Sequence, residues 1–273
     1  MPERYPVSVE SRAPTGETNA YIVGDAERLL VDPAGHTPDL DAAVESDVGG
    51  EGCAVQAPPV EHVAVTHTHP DHVGAVAAYA AETDATVWAH TAFTDRFERA
   101  TGVTPDRTFR PGDAIGDTGI TVMDTPGHAP DHVAFVVDAG DGGGTHAVTG
   151  DLAFASGSVF IGADEGDMRA YLASLRRALA RDFDRLHPGH GPVVENPGER
   201  LRWLYGHRRD RERSVRRAVE SGAATVPEIL DAAYEKDLDG VRDLAAETVR
   251  AHLEKLRVEG KVEWDGSRVT PRD

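Results

Sequence analysis

The chain has one cysteine in 273 residues, Cys53. A single thiol cannot close an internal disulfide and has no second cysteine with which to share a metal, so any metal must be held by histidine and carboxylate. No neighbouring residue type suggests that Cys53 is activated, and it reads as inert. Lysine is nearly absent: Lys236, Lys255 and Lys261 stand against 25 arginines among the 28 basic residues. No apolar run approaches the roughly 18 residues that a membrane helix needs. The opening Met1-Pro2-Glu3-Arg4-Tyr5 has no charged-then-apolar export pattern. The expectation is a cytoplasmic protein with no membrane association.

Acidic charge is plentiful: the formal net charge is −19. Acid excess with few lysines resembles the proteins of salt-loving archaea, where a Debye length of roughly 3 Å at molar salt screens the self-repulsion. An acidic mesophilic enzyme is the alternative. The charge is unevenly placed. Residues 199–273 carry 16 basic and 16 acidic groups, so the whole imbalance belongs to residues 1–198. That contrast predicts two domains, 1–198 and 199–273.

In the front part, short β-like runs alternate with turns and helices. Tyr21-Ile22-Val23 and Leu29-Leu30-Val31-Asp32 flank Gly24-Asp25-Ala26 as a hairpin. The alanine-rich stretch 73–81 is expected to be helical, and Met168, Tyr171, Leu172, Leu175 and Leu179 set a helical period over 167–181. Gly140-Asp141-Gly142-Gly143-Gly144 reads as a hairpin tip. An α/β sheet sandwich with outer helices follows. Beyond 192–198 the pattern is helix over 199–221, helix over 226–234, helix over 244–259, and a hairpin turning at Asp265-Gly266. Three helices and a hairpin are the layout of a winged helix.

The strongest chemical signal is Thr66-His67-Thr68-His69-Pro70-Asp71-His72, directly after the buried-strand run His62-Val63-Ala64-Val65. Imidazole and carboxylate are good zinc ligands, and a tight turn at a strand end can aim them at one point. Three further apolar strands end on candidate ligands: Asp124-Thr125-Pro126-Gly127-His128, Thr149-Gly150-Asp151 and His187-Pro188-Gly189-His190-Gly191. Glycine beside each ligand permits turn geometry close to a metal.

The order His-x-His-x-Asp-His, Thr-Pro-Gly-His, Gly-Asp, Pro-Gly-His-Gly resembles the metallo-β-lactamase superfamily over roughly residues 16–195. The resemblance implies a four-layer αββα sandwich with a small C-terminal winged-helix domain. It also implies a dinuclear site with two zinc ions, although iron or manganese can occupy such ligands. His67, His69 and His128 would hold the first ion, Asp71, His72 and His190 the second, and Asp151 would bridge them. The chemistry implied is hydrolysis by a hydroxide shared between the metals. Asp71 could also shuttle a proton. His132 could bind substrate, orient a ligand or serve the fold. His187 is read as structural, and His36, His62, His90, His146 and His252 carry no functional expectation.

Pro14-Thr15-Gly16-Glu17-Thr18-Asn19-Ala20-Tyr21, Thr125-Pro126-Gly127-His128-Ala129-Pro130-Asp131-His132 and the tail together resemble the lactamase-β-like-protein-2 subgroup, whose animal members are endoribonucleases. His207-Arg208-x-x-Arg211-Glu212 fits the same subgroup. The 38 residues between Asp151 and His190 leave no room for a β-CASP insertion. An RNA phosphodiester is the first expected substrate. A small-molecule thioester, as in the glyoxalase II kind, is the second. From another class comes a winged-helix nucleic-acid-binding regulator with a non-catalytic front domain. A homodimer is the one protein partner considered. The stretch 199–217 carries eight arginines, readable as a phosphate-binding strip or as a solvated face with local ion pairs.

Overall fold

The computed structural model describes residues 1–10, 15–45, 58–138, 140, 143–234 and 238–272. Cys53, Pro14 and residues 141–142 of the glycine tip lie outside them. The described chain forms two compact units. The first comprises Met1–Asp124, Asp131–Gly157 and Asp182–Pro197, and the second Thr125–Pro130, Ser158–Arg181 and Gly198–Asp273.

The first unit is built on two sheets. One has six strands in chain order: β1 (Glu3–Ser8), β2 (Glu17–Val23), β3 (Arg28–Val31), β4 (Val60–Ala64), β5 (Thr86–His90) and β6 (Arg107–Phe109). The β2–β3 pair is the expected hairpin, and β3 through β6 run parallel. The other sheet runs β11 (Arg185–Pro188), β10 (Thr145–Gly150), β9 (Val133–Asp138), β8 (Ile120–Asp124), β7 (Ala114–Ile115), with only the β10–β11 pair parallel. Tyr21, Val23, Leu29 and Val31 of the first sheet share a buried cluster with Ile120, Val122, Phe135, Val137 and Val148 of the second. Alternation supplies this: neighbouring residues of a strand face opposite ways. On the opposite face of the first sheet, Ile22, Leu30 and Val63 pack with side chains of helices α1 (Pro38–Glu45), α3 (Val76–Thr83) and α4 (Thr94–Thr101).

The alanine-rich stretch is two helices rather than one. A short α2 (Pro70–Val73) stops at Gly74, where a Cβ would lie 2.3 Å from the Ala34 carbonyl oxygen. The Ala75 N–H then bonds the Pro33 carbonyl, and α3 starts afresh. A tertiary backbone contact has overridden a good local helix former.

The second unit gathers α5 (Met168–Arg181), α6 (Pro197–Glu220), α7 (Val226–Ala233), α8 (Arg242–Val258) and the hairpin β12 (Val262–Trp264)–β13 (Val269–Pro271). Its main core joins Val215 and Val219 of α6 to Ile229, Leu230, Val249, Leu253, Leu256 and Trp264. Thr225 and Glu228 cap α7 reciprocally. Because α5 packs on α8, the stretch Ser158–Arg181 belongs to this unit although it lies within the first two hundred residues.

Polar groups are buried in this unit too. The Lys255 ammonium is 2.6 Å from the Glu212 carboxylate, both nearly covered. The Arg208 guanidinium donates to the Val159 carbonyl and lies over the Tyr171 ring. Removing one member of a buried pair leaves the other charged and uncompensated. Lys255→Met is therefore expected to lower unfolding stability by about 3 kcal/mol, read by urea denaturation. A loss under about 0.5 kcal/mol, the range of ordinary surface changes, would show that Glu212 does not depend on Lys255.

Candidate metal centre

In the first unit, the ends of β3, β4, β10 and β11 carry the polar residues. Parallel neighbours end at the same sheet edge, so β3 delivers Asp32 beside the 66–72 turn after β4, and β10 delivers Asp151 beside the His190 loop after β11. Pro70 sits at the start of α2, where its missing N–H costs no hydrogen bond. Asp71 and His72 lie in that single turn.

At this sheet edge two groups of ligand atoms converge within 4.8 Å of one another, His67, His72 and Asp151, and Asp71, His72 and His190; a third group of the first unit, Glu27, Glu61 and His62, lies elsewhere. Asp151 Oδ1 stands 3.4 Å from His190 Nε2 and 3.6 Å from His72 Nε2, while Asp71 Oδ2 is 3.6 Å from His190 Nε2. Ligands bonded to one tetrahedral zinc at about 2.0–2.1 Å stand roughly 3.3–3.4 Å apart. The spacing therefore matches the ligands of a shared cation. His67 Nε2 and His69 Nδ1 lie 3.0 Å apart.

The rings are aimed from behind. His72 Nδ1 is 2.9 Å from the Asp32 carboxylate, and His190 Nδ1 is 2.7 Å from the Glu17 carbonyl oxygen. Donation from Nδ1 fixes the tautomer and turns the Nε2 lone pair toward the cluster. His72 Nε2 is fully buried and makes no hydrogen bond. A buried ring nitrogen facing carboxylates with no hydrogen bond of its own is what a metal ligand offers and what a purely structural histidine avoids. This donor set fits a metal ion.

Close approach of the loops depends on two glycines. Gly150 has φ +44°, and a Cβ there would lie 2.3 Å from Thr66 Oγ1. At Gly189 a Cβ would lie 2.7 Å from both Asp151 Oδ1 and His72 Cε1. The 15–21 motif also has a task. Asn19 donates to the Pro188 and Gly191 carbonyls and Tyr21 Oη to Pro188, so β2 straps the His190 loop.

Two residues absent from the sequence-derived set stand out. Asp32, fully buried with φ +53°, accepts from the Thr66 N–H at 2.6 Å, from Thr66 Oγ1 at 2.7 Å and from His72. Asp131 accepts from the Thr68 N–H and hydroxyl and faces Arg96, clamping the link between His67 and His69. Both follow the strand-end pattern or its neighbouring motif, but Asp32 has no polar residue beside it to advertise a ligand, and Asp131 stands next to His132, which drew the functional reading. His132 is buried, and its Nε2 accepts the Asp151 N–H at 3.0 Å. His187 pairs with His146 at 3.1 Å and lies edge-on to Tyr21. Burial and His146 push its pKa down to about 4. His128 belongs to the second unit, on Thr125–Pro130, where its Nδ1 is 2.7 Å from the Phe160 carbonyl oxygen and Nε2 is left as the acceptor nitrogen.

Burial alone would lower the His72 pKa, but Asp32, Asp151 and Asp71 more than offset it and raise it to about 9. In metal-free protein that proton stabilises the fold fully below pH 6.5, and the contribution is lost as pH rises through about 9. A metal must displace the same proton. Metal affinity is thus expected to climb about tenfold per pH unit over pH 6.5–9 from this group alone, measured with a chelator-buffered titration. A flat profile across that window would remove His72 from the ligand set.

The profile of the Metallo-beta-lactamase superfamily matches residues 13–190. The chain belongs to that superfamily. A second profile, the Beta-lactamase associated winged helix domain, matches residues 225–269, beginning at α7, so α6 precedes the winged helix proper. A beta-lactamase-like protein 2 homolog of Drosophila melanogaster is 27% identical over 260 residues, 90% of this chain and 84% of that protein. An atrochrysone carboxyl ACP thioesterase of Cryptosporiopsis sp. is 25% identical, with 91% and 77% covered. Among solved structures, a metallo-beta-lactamase family protein from Thermus thermophilus has a TM-score of 0.73 at 24% identity, covering 99% of this chain and 98% of that one. A structure solved in a di-iron-bound form is 30% identical with a TM-score of 0.52, covering 71% of this chain and 96% of that one. The architecture is accordingly the superfamily's αββα sandwich with a C-terminal winged helix. Among the described residues no helix is long and apolar enough to cross a membrane.

Proposed function

We propose that this superfamily member is a dinuclear zinc hydrolase acting on an RNA phosphodiester. The observation carrying the metal-dependent part is Asp151 Oδ1, set 3.4 and 3.6 Å from two imidazole Nε2 atoms whose Nδ1 atoms are already engaged. Of the ligand set that the resemblance implies, the first unit would supply His67 and His69 for one ion and Asp71, His72 and His190 for the other, with Asp151 serving both. When bound, such a pair supplies ionised water at neutral pH and neutralises charge developing on the substrate. The chain's own residues do the rest. Asp32 and the Glu17 carbonyl orient two imidazoles, Asp131 fixes the 67–69 turn, and His132 positions Asp151 through its backbone. Asp71, with a side chain 20% exposed against 10% for Asp151, is the carboxylate placed to pass a proton to solvent or to the leaving oxygen. Water oxygen bonds to phosphorus, the phosphorus–oxygen ester bond breaks, and the departing alkoxide takes the proton.

The RNA assignment rests on the subgroup resemblance of the 14–21 and 125–132 motifs, with which the beta-lactamase-like protein 2 homologs of Drosophila melanogaster and Caenorhabditis elegans, 27% and 26% identical, agree in name, and on the charge-neutral tail. The ACP thioesterase relatives, at 25% and 27% identity, favour a thioester instead. The regulator reading is weakened by α8. Val249, Leu253 and Leu256 face the winged-helix core, and Ala251, His252 and Lys255 on the other flank are buried as well, which leaves this helix poorly placed to enter a DNA groove. The decisive measurement pairs metal analysis with turnover on an oligoribonucleotide and an acyl thioester. Two zinc ions per chain and RNA cleavage support the proposal, thioester turnover alone transfers it to the second reading, and no metal and no turnover overturn it. Iron in place of zinc would correct the ion and leave the ligands.

A further inference from the structure

The eight arginines of 199–217 do not form one strip. Arg208 is buried, Arg213 pairs with Asp210, Arg216 with Glu220, and Arg209 faces Glu212. What α6 does present is more specific. Arg200, Trp203 and His207, at i, i+3 and i+7, form a ladder: the Arg200 guanidinium lies 4.5 Å over the indole, and the indole and imidazole planes are stacked within 4° at 5.0 Å. Trp203 is 48% exposed, the one tryptophan not buried. His207 then lines a groove of about 460 Å³ between α6 and α7, with Arg211, Ser214, Arg217 and Ser221. Arg211 is fixed there by donation to the Ala233 carbonyl at 2.8 Å and by the Tyr234 ring 3.7 Å away. Asp210, the acid that lines this groove, is already paired.

We propose that this groove binds single-stranded RNA, one base extending the Trp203–His207 stack and the adjoining phosphates meeting Arg211 and Arg217. The chemistry argues for a strand with accessible bases. Aromatic stacking accepts any unpaired base, and a preorganised guanidinium meets phosphate. A polyanion approaching a chain of net charge −19 also finds its balanced surface only in the 199–273 part. Stacking, unlike phosphate contact, survives concentrated salt. The choice of RNA rests on the function proposed above, but binding at this groove does not require cleavage.

The test uses the full chain with chelator present, so that nothing is cut. A single-stranded 12-mer oligoadenylate is titrated while tryptophan emission is followed; Trp88 and Trp264 are buried, so quenching reports Trp203. Quenching is expected, with Kd rising about 5- to 100-fold in His207→Ala, as the loss of one stacked base implies. His207→Phe should recover most of it. Arg217→Glu should weaken binding at low salt and lose its effect in molar salt. No quenching, equal binding of duplex RNA, or a Kd unmoved by both His207→Ala and Arg217→Glu overturns the groove. Quenching without cleavage by metal-loaded protein sinks the nuclease reading and leaves the groove. Cleavage with an unchanged KM in His207→Ala does the reverse.

Discussion

Asp151→Ala is expected to cut turnover on the order of 10³-fold or more, about 4 kcal/mol of transition-state stabilisation, and to leave the chain folded. Asp151 Oδ1 stands 3.6 Å from His72 Nε2 and 3.4 Å from His190 Nε2, so its removal takes away the ligand that would serve both cations. Alanine at this strand end costs little in packing. The position follows Gly150, which already makes the turn, and its N–H to His132 Nε2 is a backbone bond that survives the substitution. Metal content should fall with the activity, and circular dichroism should not change. His69→Ala should behave likewise, since His69 Nδ1 faces His67 Nε2 at 3.0 Å. Full turnover at undiminished metal content in both variants would remove these side chains from the chemistry.

The candidate site was legible in the sequence wherever an apolar strand ran straight into a residue able to hold a metal. His67, Asp151 and His190 each stand within three residues of such a run, and parallel pairing brings those ends to one edge. The β2–β3 and terminal hairpins were legible because short turn signals sit between alternating residues. Supporting residues were not. Asp32 reads locally as an ordinary turn aspartate, and its three hydrogen bonds go to residues 34 to 40 positions away. Asp131 reaches back 63 residues to Thr68. Such partners are set by tertiary placement, which no local pattern encodes. The period of α5 marked its apolar face but not what covers it, so its membership in the second unit could not be read from spacing. The arginine count of α6 likewise concealed that half of those cations are spent on neighbouring carboxylates or buried.

Asp32→Asn separates orientation from packing most sharply, because it changes one atom and no volume. Asp32 Oδ1 accepts the Thr66 N–H and Oδ2 faces His72 Nδ1. An asparagine that keeps its oxygen on Thr66 must turn its amide N–H toward His72. That donor requires a bare Nδ1, which sends the imidazole proton to Nε2, the nitrogen that must be unprotonated to bind a metal. Metal affinity is expected to drop by roughly 10- to 100-fold. The lost carboxylate also lowers the His72 pKa, so the rise of affinity between pH 6.5 and 9 should flatten in the variant. Asp32→Ala should lose affinity too and also fold less stably, by about 1–3 kcal/mol, because the buried Thr66 N–H is left without an acceptor. Wild-type metal affinity in Asp32→Asn, with wild-type pH dependence, would mean that Asp32 only braces the 66–72 turn and does not set the tautomer.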